Sequence, residues 1–233
     1  MKKRILSVVA ILALSAYALQ AQVDFGIVAG PNFQNMVGKD AGGDKMTNGL
    51  IVGFHAGVKA NIPVAPDFYF QTGLLFSQKG SKNNEGLLPM KSSGDYTTTT
   101  RISYLELPLH LLFRPTLGSG HMLVGFGPYV AAGITGKQVV DYGSLPPLEQ
   151  NIKFKGEITN SERWDVENAY YKRFDAGADI FAGYEFSLGL YFQLNAQLGL
   201  LNMIPALEDG GDQPNLKNTG FSLSLGYNFY LYL

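Results

Sequence analysis

Residues 220–233 read GFSLSLGYNFYLYL. Phe221, Leu223, Leu225, Tyr227, Phe229, Leu231 and Leu233 fall on one side of this stretch. Ser222, Ser224, Gly226, Asn228, Tyr230 and Tyr232 fall on the other. A period of two is the signature of an extended strand whose two faces meet different surroundings. The stretch just upstream repeats it: Leu190, Phe192, Leu194, Ala196, Leu198 and Leu200 alternate with Tyr191, Gln193, Asn195, Gln197 and Gly199.

The same rhythm continues toward the amino end. Phe174, Ala176, Ala178, Ile180, Ala182 and Tyr184 oppose Arg173, Asp175, Gly177, Asp179, Gly183 and Glu185. Met122, Val124, Phe126, Val130, Ala132 and Ile134 oppose Gly125, Gly127, Gly133 and Thr135. Leu105, Leu107, Leu109, Leu111 and Phe113 oppose Tyr104, Glu106, His110 and Arg114. Phe68, Phe70, Thr72, Leu74 and Phe76 oppose Tyr69, Gln71, Gly73, Ser77 and Lys79. Val52, Phe54, Ala56, Val58, Ala60 and Ile62 oppose Gly53, His55, Gly57, Lys59 and Asn61. Phe25, Ile27, Ala29 and Phe33 oppose Asp24, Gly26, Gly30 and Asn32. This predicts about eight strands, each of roughly 10–16 residues. The connections alternate in length: long near 35–48, 83–98, 137–168 and 203–217, short near 63–66, 115–119 and 186–188. An antiparallel meander gathers the long loops at one end and the short turns at the other, as in outer-membrane barrels.

Composition narrows the function classes. The chain has 28 Gly, 15 Phe and 13 Tyr in 233 residues, 16% charged residues and no Cys. It is too apolar to be disordered, and without Cys it has no disulfide framework, thiolate metal site or Cys nucleophile. A net charge of −1 gives no basic footprint for nucleic acid. Lys2, Lys3 and Arg4, an apolar run over Ile5–Leu19 and small residues up to Ala21 have the layout of a secretory signal peptide. The expected domains are therefore a signal peptide over 1–21 and a barrel over 22–233. Cleavage after Ala21 takes the balance from 18 basic and 19 acidic residues to 15 and 19, a net −4. No later apolar run is long enough for a spanning helix.

The polar face carries Gly, Ser, Gln, Asn and scattered ions of both signs, whereas a solvated face is normally richer in Lys and Glu. An eight-strand ring has an interior just wide enough for side chains, and glycines suit it. Aromatics gather near the short turns (Phe68, Phe70, Phe113, Tyr184, Phe186, Phe192, Phe229) and nearer the loops (Phe33, Phe76, Phe174, Phe221). Two such belts belong at two membrane interfaces. The expected fold class is thus all-β: an eight-stranded antiparallel up-and-down transmembrane β-barrel with its apolar face in lipid.

Five segments add a resemblance: Gly53-Phe54-His55-Ala56-Gly57, Gln78-Lys79-Gly80, Tyr104-Leu105-Glu106-Leu107-Pro108-Leu109, Gly125-Phe126-Gly127-Pro128-Tyr129 and Gly226-Tyr227-Asn228-Phe229. In order and spacing the chain resembles the PorT-like outer-membrane β-barrel family of Bacteroidetes, a set of small porin-family barrels. The resemblance implies an exported eight-stranded barrel in the cell envelope; the namesake takes part in protein secretion. The chain departs from the pattern at Leu233, where such barrels often end in Phe.

The inward ions expected from parity are Asp24, Lys59, Glu106, Arg114, Arg173, Asp175, Asp179 and Glu185, with His55 and His110. Buried charges must be paired or hydrated, so they predict a network that plugs the barrel. Ser103, Glu106 and His110 lie close in sequence, but Glu106 and His110 are about 13 Å apart along a strand and Ser103 faces the other way. No catalytic, cofactor-binding or metal-ligating residue is expected. The acidic-glycine stretches Asp40–Asp44 and Glu208–Asp212 read as solvated loop tips, and Tyr170-Tyr171 as an interfacial anchor. The expected function is structural or interactive: an anchor, adhesin or component of an envelope or secretion assembly, displaying four loops outside. A narrow pore for small solutes or ions is the second reading and a lipid-modifying enzyme the third. The expected partners are the lipid bilayer of the outer membrane and an envelope or secretion-system protein, for a monomeric barrel with both termini periplasmic.

Overall fold

The computed structural model describes residues 23–46, 48–83, 96–143, 145–211 and 213–229. The stretch read as a signal peptide, most of the second long connection (84–95) and the tail containing Leu231 and Leu233 lie outside the described residues. Eight long strands carry the fold: β1 Asp24–Lys39, β2 Ile51–Ala65, β3 Phe68–Asn83, β4 Thr97–Phe113, β5 Gly120–Asp141, β6 Phe174–Glu185, β7 Leu190–Gly199 and β8 Asn215–Phe229. Each pairs antiparallel with the next along the chain. The last pairs antiparallel with the first, from Phe25 opposite Phe229 to Lys39 opposite Asn215. The hydrogen-bonded ring is closed, so none of the eight is left with an open edge.

The alternation read from the sequence sets which way each side chain points. On β8, Leu223 and Leu225 are 41% and 60% exposed, while Ser224 and Asn228 between and beyond them are buried. On β7, Leu194 is 61% exposed and Gln193 is buried. A water-soluble domain turns its apolar side chains inward; this ring does the reverse around its whole circumference. Its outer aromatics meet near the short turns, across strands as Phe68 with Phe113 at 4.8 Å and along β8 as Tyr227 with Phe229 at 5.0 Å. A second set lies nearer the loops, as Phe33 with Phe221 at 5.0 Å and Phe54 with Phe76 at 5.2 Å.

Glycine makes the narrow interior possible. A Cβ on Gly125 would sit 2.3 Å from the Phe181 ring, and one on Gly226 would sit 2.3 Å from the Tyr191 ring. Each large inward ring occupies the space that a neighbouring strand's missing side chain leaves. At the Ala65–Phe68 connection Pro66 presets one turn residue, and Asp67 follows with φ 61°. Asp is among the few side chains that enter the left-handed region readily.

Strand ends differ from the sequence reading: β1 runs on to Lys39, past the expected start of the first long connection near 35. β5 runs on to Asp141 instead of ending near residue 136, and a bulge is the reason. Ser103 faces Thr135 and Tyr104 faces Gly133, so Ile134 is the extra residue. The bulge inverts the parity: Gly133 is buried, Ile134 and Thr135 are both exposed, and Gln138 and Val140 point inward beyond it. Thr135, expected on the inner face, is therefore outside. The long connection 142–173 is also not a plain loop. Leu148–Phe154 folds back on β5, and Asn168–Tyr171 runs parallel to it. Glu157–Ile158 then pairs in parallel with Ala206–Leu207 of connection 200–214, tying the two loops together.

Candidate functional site

The inward side chains form layers along the ring axis. The central one is built around Lys79 of β3, which has no exposed surface. Its Nζ lies 2.7 Å from Glu106 Oε2 on β4 and 3.2 Å from Asp175 Oδ2 on β6. The same Asp175 oxygen accepts from Tyr129 Oη at 3.1 Å and from Asn218 Nδ2 at 3.0 Å. Glu106 Oε1 accepts from Gln197 Nε2 at 3.2 Å, and the ammonium stands 4.0 Å from the Tyr129 ring centroid. Six of the eight strands thus meet at one cation. Three ions are bearable in such a place only because each has its partners.

Toward the turns, Arg114 donates to Asp24 Oδ2 at 2.8 Å and to Tyr69 Oη at 3.0 Å, with Glu185 at 3.8 Å. Asn228 donates to Glu185 Oε2 at 2.9 Å. Above this layer Val28, Leu112, Leu123, Phe181 and Tyr191 form an apolar plug. Lys59 stands 5.8 Å from both the Phe181 and Tyr191 ring centroids and 3.4 Å from Gln193 Oε1. His110 Nε2 meets Asp179 Oδ2 at 3.0 Å. Toward the loops a second apolar cluster, with Met36, Ile102, Tyr104 and Met203 among its members, covers the Lys79 layer.

Between these layers runs a directed hydrogen-bond relay. His55 Nδ1 is 2.7 Å from Asn32 Oδ1, and His55 Nε2 is 2.9 Å from Ser224 Oγ. An amide oxygen only accepts, so Nδ1 carries the proton and Nε2 accepts from the Ser224 hydroxyl. That polarity is the one a Ser–His–Asn triad uses. Asn195 Nδ2 donates to Ser224 Oγ as well, at 2.9 Å. The polar cavity beside the relay has a volume of about 50 Å³. A space of that size takes water-sized guests, not an ester or a lipid chain.

The sequence placed most of these groups correctly. Asp24, Lys59, Glu106, Arg114, Asp175, Glu185, His55 and His110 are all buried inside the ring, and Asp179 is partly buried there against His110. Arg173 is a correction: it is exposed, with its guanidinium 5.2 Å from the Phe154 ring centroid. It precedes β6 by one residue and its carbonyl still accepts from Gly133 N at 2.7 Å, but the Phe154 ring of the long connection fills the space over Gly133, and the guanidinium lies against that ring. Tyr171 is a second correction, since its side chain does not reach an interface. Tyr171 is buried and donates to Gln138 Oε1 at 2.9 Å, and Tyr170 donates to Asp165 Oδ2 at 2.8 Å. Lys79 was missed among the inward ions, although it shares the parity of Gln71 and Ser77. Tyr129 and Asn218, its neighbours, carry the same alternation signal. The two loop tips are capped by their own acids: Asp44 N donates to Asp40 Oδ1, and Gly211 N to Asp209 Oδ1.

A family model described as the outer membrane protein beta-barrel domain matches residues 5–229. No curated protein matches the chain. Among solved structures, Ail, the attachment invasion locus protein of Yersinia pestis, is 13% identical, over 89% of this chain and 99% of that one, with a TM-score of 0.40. Neisserial surface protein A is 10% identical, over 88% and 97%, with a TM-score of 0.38. AlkL in DMPC lipid bilayers is 13% identical, over 91% and 92%, with a TM-score of 0.36.

Proposed function

We propose that this chain, which belongs to the outer membrane protein beta-barrel domain family, is a plugged barrel whose role is structural or interactive. Membership of that family implies an outer-membrane location. Our finer reading is an eight-stranded up-and-down barrel of the PorT-like kind. It is exported by cleavage after Ala21, is monomeric in the bilayer, and has its termini and short turns in the periplasm and its four long loops outside. The outward apolar face, the inverse of a soluble protein's, supports the membrane-spanning part of this reading.

One observation carries the functional part. The lumen is crossed by Lys79 paired with both Glu106 and Asp175, with apolar layers on both sides. An ion or solute passing along the axis would have to separate buried, paired charges, which costs several kcal/mol per ion. We therefore rank a conducting pore below a display and anchoring role. We also read the Asn32–His55–Ser224 relay as a brace, because its cavity leaves a substrate no room. The work then falls to the loops, as an anchor, adhesin or component of an envelope or secretion assembly.

Crosslinking through the 142–173 loop, followed by co-purification from native membranes, should capture a defined envelope partner. Purified protein in planar bilayers should show no steady conductance. Ion-selective conductance abolished by changing Glu106 would replace this reading with the pore, and phospholipid turnover lost with Ser224→Ala would replace it with the enzyme.

A further inference from the structure

Connections 142–173 and 200–214 enclose a cleft of about 450 Å³ at the loop end of the ring. Sites that bury small molecules span roughly 300–1,000 Å³ and are mostly apolar. Both loops supply its lining: Ile158 lies directly beside Leu207 in the parallel pairing, and Ile204 joins them, while Val140, Tyr142 and Leu148 also line the cleft. Ala169 and Tyr171, both buried, lie deepest, and Tyr142 and Trp164 stand at the rim, 44% and 58% exposed.

The cleft is braced. Ala206 N donates to Gly156 O at 2.8 Å and Glu208 N to Ile158 O at 3.1 Å, joining the two loops. Lys172 N donates to Met203 O at 2.8 Å, and Tyr171 Oη is fixed to Gln138 of β5. The opening is therefore held by backbone bonds between the loops together with side-chain bonds of its lining, and a ligand entering it need not order the loops.

Apart from Arg163, whose charge acts on Asp209, the charged and amide groups of the rim are already engaged within the protein. Asp165 accepts from Glu167 N, Asn168 N, Asn168 Nδ2 and Tyr170 Oη. Those donors hold its carboxyl down at about 2, and the bond to that carboxylate pushes the Tyr170 hydroxyl up to about 12. Glu162 is paired with Lys155. Gln150 donates to Asp165 O, and Gln138 donates to Gln150. A sugar or a cation would need carboxylates and amides with capacity to spare; an apolar body needs only the walls.

We infer that this cleft is a binding site for a largely apolar small molecule that carries no positive charge, seated against Ile158 and Leu207 with Trp164 at the rim. The site holds whichever side of the membrane the loops face. Trp164 is the chain's single Trp, so it reports occupancy without labelling. The full-length protein in lipid nanodiscs, free of detergent, is titrated with 1-bromonaphthalene, a heavy-atom quencher, and with maltose as a polar counter-probe. Trp164 emission should be quenched saturably by the first and left unchanged by the second. Ala169→Phe, which fills the floor, and Ile204→Asp, which charges a wall, should each weaken the apparent affinity about tenfold or more, as expected for lost apolar contact. Both variants should keep heat-modifiable gel mobility, which shows the ring intact. Quenching that rises without saturation, stays within about twofold in both variants, or is displaced by maltose would overturn the assignment.

Discussion

Replacing Lys79 by Met should be among the most damaging single changes in the lumen. Lys79 is wholly buried and neutralises Glu106 at 2.7 Å and Asp175 at 3.2 Å. Met matches the length of the stem but removes the cation, leaving two buried carboxylates facing each other. Breaking a buried ion pair by deleting one partner costs about 3–5 kcal/mol, and here one deletion orphans two acids. Removing all three charges together, as Lys79→Met with Glu106→Gln and Asp175→Asn, should recover at least half of that loss. Neutral groups need no counter-ion, and Gln197, Tyr129 and Asn218 still satisfy the new amides in part. The assay is urea unfolding of protein refolded into vesicles, read from the fraction that keeps compact mobility without boiling. A Lys79→Met protein within about 0.5 kcal/mol of wild type, the scatter of an ordinary surface change, would mean that the lumen is hydrated and the plug does not exist.

Three further outcomes follow from the same geometry. Gly125→Val should cost about 1–3 kcal/mol by overpacking, since its Cβ falls 2.3 Å from the Phe181 ring; Phe181→Ala in the same chain should return part of it, measured as a double-mutant cycle in the urea assay. Leu194→Arg, on the outer face midway between the aromatic belts, should cost about 2–4 kcal/mol in vesicles, and Leu198→Arg, four residues nearer the loops, about 0–1 kcal/mol; equal costs would remove the membrane from the explanation. Asp165 titrates lower in the folded loop, about 2 against an ordinary 3.8, so its contribution is complete above pH 4 and disappears as pH falls through about 2. Limited proteolysis of the 142–173 loop should accordingly be slow at pH 4 and speed up only at the acid extreme, an effect that Asp165→Ala abolishes by making cleavage fast throughout.

The eight strands were legible because the ring needs two faces of opposite character on every strand, and such a face pair shows at a spacing of two. β7 and β8 display it without interruption, so both their existence and their orientation followed from Leu190–Leu200 and Phe221–Phe229. Parity also named most of the inward ions. It failed where the backbone breaks step. The extra residue at Ile134 inverts the inside and outside of β5, and no residue type in Ala132–Gly136 announces it. Arg173 stands at the end of its strand, where the Phe154 ring of the long connection takes the space over Gly133. What the sequence does not carry is register. His55 and Ser224 are 169 residues apart and Lys79 and Asp175 are 96 apart; only the pairing of β1 with β8 and the curvature of the closed sheet bring them together. The cleft was illegible for a related reason. Its walls are held by short parallel pairings such as Glu157–Ile158 with Ala206–Leu207, too brief to leave a periodic signal.

The central claim is an inverted ring, with apolar side chains in lipid and polar ones in a closed interior. The chain has no Cys, so single cysteines can be placed one at a time from Thr219 to Phe229, spin-labelled, reconstituted in vesicles and scanned for collision with oxygen, which favours lipid, and with a nickel chelate, which stays in water. Oxygen accessibility should peak at 221, 223, 225 and 227 and fall at 222, 224, 226 and 228, with the nickel chelate excluded from the middle of both sets. A scan in which the even positions meet oxygen, or in which the odd positions meet the nickel chelate throughout, would contradict it.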